Sequence, residues 1–234
     1  MVRSSRLAAS VLLAVCLTWP FRLWAQGEFR FPSPDRPVAT VISSAYADEK
    51  ERDKKGEAKR VMDHLGIKPG VRVADIGAGQ GYYTVRLARR LGSSATIYAQ
   101  DVDAKFLNTL ESRLKQERIR EVKLVLGLPR DPRLPRDSID VAILSHMYHE
   151  IENPYEFLYR LRPSLAADAR MAIIDNDKPT QNHGTPPGLL RCELAALGYR
   201  QVDFMFLKPA DGYLAIFVPP DELPPVESIK PCKQ

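Results

Sequence analysis

The sequence predicts an α/β fold in which a mostly parallel sheet is finished by an antiparallel hairpin. Three observations carry this. Short apolar runs alternate with single helical patterns between residues 71 and 175. The last two apolar runs are only five residues apart. A glycine-rich turn stands where the first run stops and a helix begins.

Each element has its own signal. Residues 47–65 read as one helix, charged on one side, with Val61, Met62 and Leu65 as its apolar contact; Gly66 and Pro69 stop it. Strands are expected over 71–76, 95–100, 122–126, 139–144 and 171–175. Helices fall at 81–91, at 104–117 with Phe106, Leu107, Leu110 and Leu114 on one face, and at 155–161 after Pro154, which suits a first turn. Near-continuous apolar strands separated by single helices imply right-handed crossovers and a parallel sheet buried on both faces. The rhythm then breaks. After a helix at 188–197, strands at 200–207 and 213–218 are joined by a connection too short to cross over, so they form an antiparallel hairpin.

Composition bounds the rest. At 234 residues, 44% of them hydrophobic, the chain suffices for one domain with a substantial core. Its formal charge of +5 is partly a property of the leader: Arg3, Arg6 and Arg22 precede the first acid, and without residues 1–25 the charge is +2. No basic block interleaved with aromatics follows, so no nucleic-acid partner is implied. Residues 1–25 read as a signal peptide or anchor, with a short positive start, an apolar run over 7–17 and Ala25 before a possible cut. Export to a periplasm or the exterior is expected, with an organellar transit peptide as the lesser alternative. Membrane contact is expected only through this segment, if it stays uncleaved. Residues 26–46 form a proline-bearing linker or extended arm, 47–218 the domain, and 219–234 an irregular tail with five prolines. Two cysteines outside the leader, Cys192 and Cys232, do not make a disulfide framework; the simplest reading is a helix thiol and a tail thiol, and the sequence leaves open whether they pair.

The strongest local signal is Val73-Ala74-Asp75-Ile76-Gly77-Ala78-Gly79-Gln80-Gly81. Glycines at a strand-to-helix junction let the backbone turn sharply and approach a ligand's anionic end. The acid two residues before the first glycine disfavours a pyrophosphate and suits a ligand carrying an ammonium beside its carboxylate. Asp101, about 20 residues further at the end of the second strand, stands where a carboxylate accepts both hydroxyls of a ribose. Asp103 is explained as a helix N-cap.

The segments VADIGAGQGYYT, YAQDVD and DSIDVAILSHMYHEI, with the terminal hairpin, resemble class I S-adenosylmethionine (SAM)-dependent methyltransferases, especially small bacterial ones with a signal-like leader. The resemblance covers residues 47–218. It implies a Rossmann-like three-layer sandwich with a seven-stranded sheet and SAM lying across the strand ends. By position, Asp75, Gly77, Ala78, Gly79 and Gly81 would shape the methionine pocket, Asp101 and Val102 would meet the ribose, and Ser145 would approach the sulfonium. Where the family has an acid for the adenine amino group, this chain reads Gly127-Leu128-Pro129-Arg130-Asp131, and only Asp131 would serve.

Methyl transfer from a sulfonium depends on positioning and desolvation, with a base needed only for a protonated nucleophile. His146, Tyr148 and His149, followed by Glu150, are the candidates to orient a small-molecule or lipid-like acceptor or take its proton. The His146-x-x-His149 spacing also invites a metal, but no third ligand has recognisable spacing, and none is expected. Of Tyr82 and Tyr83, one should pack on the sheet and the other wall the cofactor pocket. The loop at 176–188, with His183 in it, is a candidate acceptor lid. Two other readings compete. A non-catalytic SAM- or nucleoside-binding module gains weight from export, since SAM is made in the cytosol. A nucleotide-dependent oxidoreductase is opposed by Asp75 and by the hairpin.

Overall fold

Seven strands form one sheet in the order β3-β2-β1-β4-β5-β7-β6. They are β1 (Arg72–Ile76), β2 (Thr96–Asp101), β3 (Val122–Leu126), β4 (Ile139–Ser145), β5 (Leu165–Asp175), β6 (Arg200–Phe206) and β7 (Tyr213–Val218). Strands β1 to β5 pair in parallel, and β7 runs antiparallel to both β5 and β6. This computed structural model describes residues 30–41, 49–208 and 212–234; the expected leader lies outside the described residues. Among the described residues, no helix is long and apolar enough to cross a membrane.

The helices are α1 (Glu49–Lys54), α2 (Glu57–His64), α3 (Tyr82–Leu91), α4 (Ala104–Gln116), α5 (Pro154–Leu161) and α6 (Pro187–Ala195). Alternate side chains of each central strand serve opposite layers, as the pleat requires. Val73, Val141, Ile143 and Ala172 pack with Val61 of α2, with Leu65 at its C-terminal cap, and with Leu87 and Leu91 of α3. Ala74, Ala142, Leu144 and Ile173 pack with Leu158 and Leu161 of α5 and Leu190 and Leu194 of α6. The expected three-layer α/β sandwich is therefore present. Asp103 caps α4, accepting from the Lys105 N–H at 2.7 Å.

Two expectations change, and one open question closes. The single helix over 47–65 is two helices, because Gly56 takes φ +68° at the start of α2 and turns α1 away. Strand β5 begins at Leu165 rather than at 171: its alanine-rich first half lacks strand alternation but pairs with β4 from Leu165 against Ile139. The two cysteines are not free thiols. Cys192 on α6 and Cys232 in the tail form a disulfide, with Cα atoms 6.0 Å apart. The tail is correspondingly anchored, with Val226, Ile229 and Cys232 buried and the Cys232 N–H donating to the Tyr155 hydroxyl.

Candidate active site

The strand order reverses direction between β1 and β4, and ligands of open α/β sheets bind outside the carboxyl ends of the strands at such a switch point. Register makes the site. Ile76 is level with Gln100 on β2 and with Leu144 on β4, so the next residues, Gly77, Asp101 and Ser145, stand side by side at the strand tips. A cavity of about 300 Å³ opens there.

The glycine loop and the strand-end acid are locked together. Asp101 accepts the Gly79 N–H at 2.8 Å on one oxygen and the Asp103 N–H at 2.9 Å on the other. Burial raises its pKa against these backbone hydrogen bonds. Gly81 starts α3 at φ +88°, and a Cβ there would come within 2.3 Å of Leu110, so α4 packs on bare backbone at this point.

Of the twelve residues predicted to bind the cofactor or act in catalysis, Gly77, Ala78, Gly79, Asp101, Val102, Ser145 and His146 border the cavity. Five do not. Asp75 lies behind the loop, fully buried, accepting the Thr84 hydroxyl at 2.5 Å; burial pushes its carboxyl up to about 6 against that bond. It braces the first turn of α3 instead of facing a ligand. Gly81 is covered by Leu110. Asp131 closes a tight turn, exchanging backbone hydrogen bonds with Leu128 and accepting the Arg133 N–H. Tyr148 is buried on the α6 side, its hydroxyl donating to Glu193, which also pairs with Arg36 at 2.8 Å; both members of that ion pair are fully buried. His149 is buried too, with Nδ1 at 3.0 and 3.1 Å from the Asp175 carboxylate oxygens. The two histidines of the His-x-x-His segment thus face different carboxylates.

His146 holds a left-handed backbone, φ +54°, at the tip of β4, with Nε2 3.5 Å from Glu57. Strain of this kind persists where surrounding structure over-determines it, and it concentrates at functional sites. Glu57 is the centre of a cluster that sequence reading did not find. It accepts from Arg52 at 2.5 and 3.2 Å and from the Tyr83 hydroxyl at 3.1 Å. Burial raises its pKa, but hydrogen bonds and charge from His146 and Arg52 outweigh this and hold it at about 2. Arg52 also donates to Ser145 at 3.0 Å and stacks 3.6 Å from the Tyr82 ring centroid, on the cavity wall. Glu49 borders the cavity as well, held by Arg113 at 2.6 Å and Arg86 at 3.3 Å. Helix α1 is thereby latched over the crevice. The sequence carries no spacing signal for this, since the partners lie up to 93 residues apart.

A seven-stranded sheet of this order, with a glycine loop and a strand-end acid meeting at its switch point, defines the class I methyltransferase fold. Residues 73–168 match the family model described as a methyltransferase domain. The chain is 32% identical over 119 residues to the 2-phytyl-1,4-naphtoquinone methyltransferase of Trichormus variabilis, covering 49% of this chain and 50% of that one. It is 20% identical over 156 residues to the demethylmenaquinone methyltransferase of a Geobacillus species, covering 65% and 60%. The chain spans about half the length of the curated relatives it matches. Among solved structures, a SAM-dependent methyltransferase from Aquifex aeolicus superposes with a TM-score of 0.70 at 20% identity, over 76% of this chain and 98% of that one.

Proposed function

We propose that this protein transfers the S-methyl group of SAM to a small acceptor with an apolar, ring-bearing body. The carrying observation is the junction of the glycine loop and Asp101 on one cavity, with the carboxylate fixed 2.8 Å from Gly79 N. Each of its oxygens keeps a lone pair for a ribose hydroxyl. The surrounding residues fit the same ligand. Arg52 and Glu49 offer opposite charges to a zwitterionic amino-acid end. Gln100 borders the cavity as well, and its buried amide nitrogen, which lies against Gly127, has no hydrogen-bond partner among the described residues.

Bound SAM would supply an electrophilic methyl carbon. The chain's own work is to hold both reactants in line and keep water out, which Phe106, Met147, Ile151 and Phe157 on the wall favour. Where the acceptor's nucleophile carries a proton, His146 is the cavity-wall base to take it, with the Glu57 carboxylate beside the imidazole to stabilise the charged ring. The acceptor class draws support from the quinone-directed relatives.

We also read the leader as an export signal. The Cys192–Cys232 disulfide supports that reading, because such bonds persist in oxidising compartments. It equally favours the second reading, a SAM-binding module, since an exported enzyme needs a SAM supply. Calorimetric titration with SAM and S-adenosylhomocysteine, followed by labelled-methyl transfer to reduced naphthoquinones, separates the two. Binding with turnover is expected; binding without turnover on any ring acceptor favours the module, and no binding removes both.

A further inference from the structure

The loops leaving β4 and β5 emerge together, with His146 N–H bonded to the Ile174 carbonyl at 2.8 Å. They bring His149, Glu150 and His183 into one cluster in which each residue offers a donor atom within 4.8 Å of the others. The imidazole rings of His149 and His183 meet edge to face with centroids 5.6 Å apart.

Two buried nitrogens in this cluster, Nε2 of His149 and Nδ1 of His183, have no hydrogen-bond partner among the described residues. Leaving a buried polar atom unpaired costs on the order of 1–3 kcal/mol, and two such atoms on neighbouring rings need a reason. The rest of the cluster supplies one. Asp175 bonds Nδ1 of His149, which leaves Nε2 as that ring's open position, and fully buries the carboxylate–histidine pair. A carboxylate behind a histidine is the usual outer support of a metal-bound imidazole. Asp175 is itself held by the Asn176 N–H at 2.8 Å and the Thr185 hydroxyl at 2.7 Å. His183 is fixed in turn: it takes φ +57° at the end of a tight turn, its N–H bonds the Thr180 carbonyl and its carbonyl accepts from Asn176. The polar loop, a candidate acceptor lid in the sequence, is therefore held by its own hydrogen bonds around His183.

We propose that His149, Glu150 and His183 bind one divalent first-row transition-metal ion. Two imidazoles and one carboxylate, with coordination positions to spare, are a donor set for zinc or ferrous iron and a poor one for calcium or magnesium. Glu150 also borders the cavity, which puts the ion at its edge. The third ligand has no motif spacing, standing 34 residues beyond His149 on the next loop, so the pattern is invisible before folding.

The test uses the full, disulfide-bonded chain after chelator treatment, titrated with zinc chloride by calorimetry and with cobalt(II) by visible absorbance. One equivalent per chain is expected, with a cobalt spectrum of nitrogen and oxygen ligation. His183→Ala and Glu150→Gln should each weaken zinc by more than the roughly 10- to 100-fold that loss of an outer support costs. His64→Ala, at an exposed histidine paired with Asp203, should bind as wild type does. His149→Ala removes a fully buried ring and is not needed. Circular dichroism of the metal-free variants separates misfolding from ligand loss. Zinc binding that is absent from the wild type, or unchanged in a folded His183→Ala, overturns the proposal. SAM titration of the same samples is a separate readout, so this site and the methyl-transfer reading stand or fall independently.

Discussion

The two sides of the crevice are built in opposite ways. On the β1–β2 side, the loop, the acid and the helix cap come from one continuous βαβ unit, and backbone N–H groups make the key bonds to Asp101. On the β4–β5 side, each side chain is held by a partner from a distant segment: Tyr148 by Glu193, Glu193 by Arg36, His146 by Glu57, His149 by Asp175. The first side joins a glycine loop to a carboxylate through bonds that are local in the chain. The second depends on the whole fold being closed, including the arm at 30–41 and the tail.

Breaking the second side should therefore cost stability, and breaking the first should cost ligand. The largest effect is expected from Glu193→Ala, which strands a fully buried arginine and leaves the Tyr148 hydroxyl without its acceptor. Loss of one member of a buried pair costs about 3–5 kcal/mol, to be read from urea unfolding. A loss below 1 kcal/mol would show that the arm opens without consequence. Next is the disulfide. It closes a loop of 40 residues, for which the chain-entropy account gives about 4 kcal/mol, and engineered cases deliver less. Cys192→Ser with Cys232→Ser should lower the unfolding midpoint and leave the depth of the SAM isotherm intact, whereas a collapse of SAM binding would tie the tail to the glycine-loop side.

The Glu57 cluster sharpens the comparison through pH. The carboxyl titrates at about 2 when folded against an ordinary 4.5, so the native state favours its charged form. Its stabilisation is complete above pH 4.5 and is lost as pH falls towards 2, a contribution of about 3 kcal/mol at 1.36 kcal/mol per pKa unit. Glu57→Gln should flatten acid unfolding across that window; an unchanged acid profile would remove the cluster as the latch of α1. The smallest change in stability is expected from Asp101→Ala, whose main effect is on SAM. Hydrogen bonds to a charged group contribute about 1.5–3 kcal/mol, so affinity should fall about 10- to 150-fold by calorimetry. An Asp101→Ala protein that binds SAM normally would falsify the proposed role of this carboxylate.

The same division explains what could be read before folding. Strand and helix periods, the short hairpin connection and the acid after β2 are local patterns, and they place β1, β2, the glycine loop and Asp101 where the structure has them. Reading failed wherever a side chain had a choice of partners. Asp75 has the right spacing to face a ligand, yet burial and Thr84 turn it inward. His146 and His149 are three residues apart and look like a pair, but the left-handed turn at His146 sends the rings to different carboxylates. Gly56 is one residue in a strongly helical segment, and its left-handed backbone is what lets α1 reach the cavity.

By itself the amino-acid order determined the sheet, its reversed last strand and the glycine loop, because pleat, helical period and glycine backbone act over a few neighbouring residues. Only the closed tertiary structure decided the Cys192–Cys232 bond, the Arg52–Glu57–His146 cluster and the meeting of His149, Glu150 and His183. Those contacts join segments far apart in the chain, and in a buried setting a polar group takes whichever partner packing brings within reach.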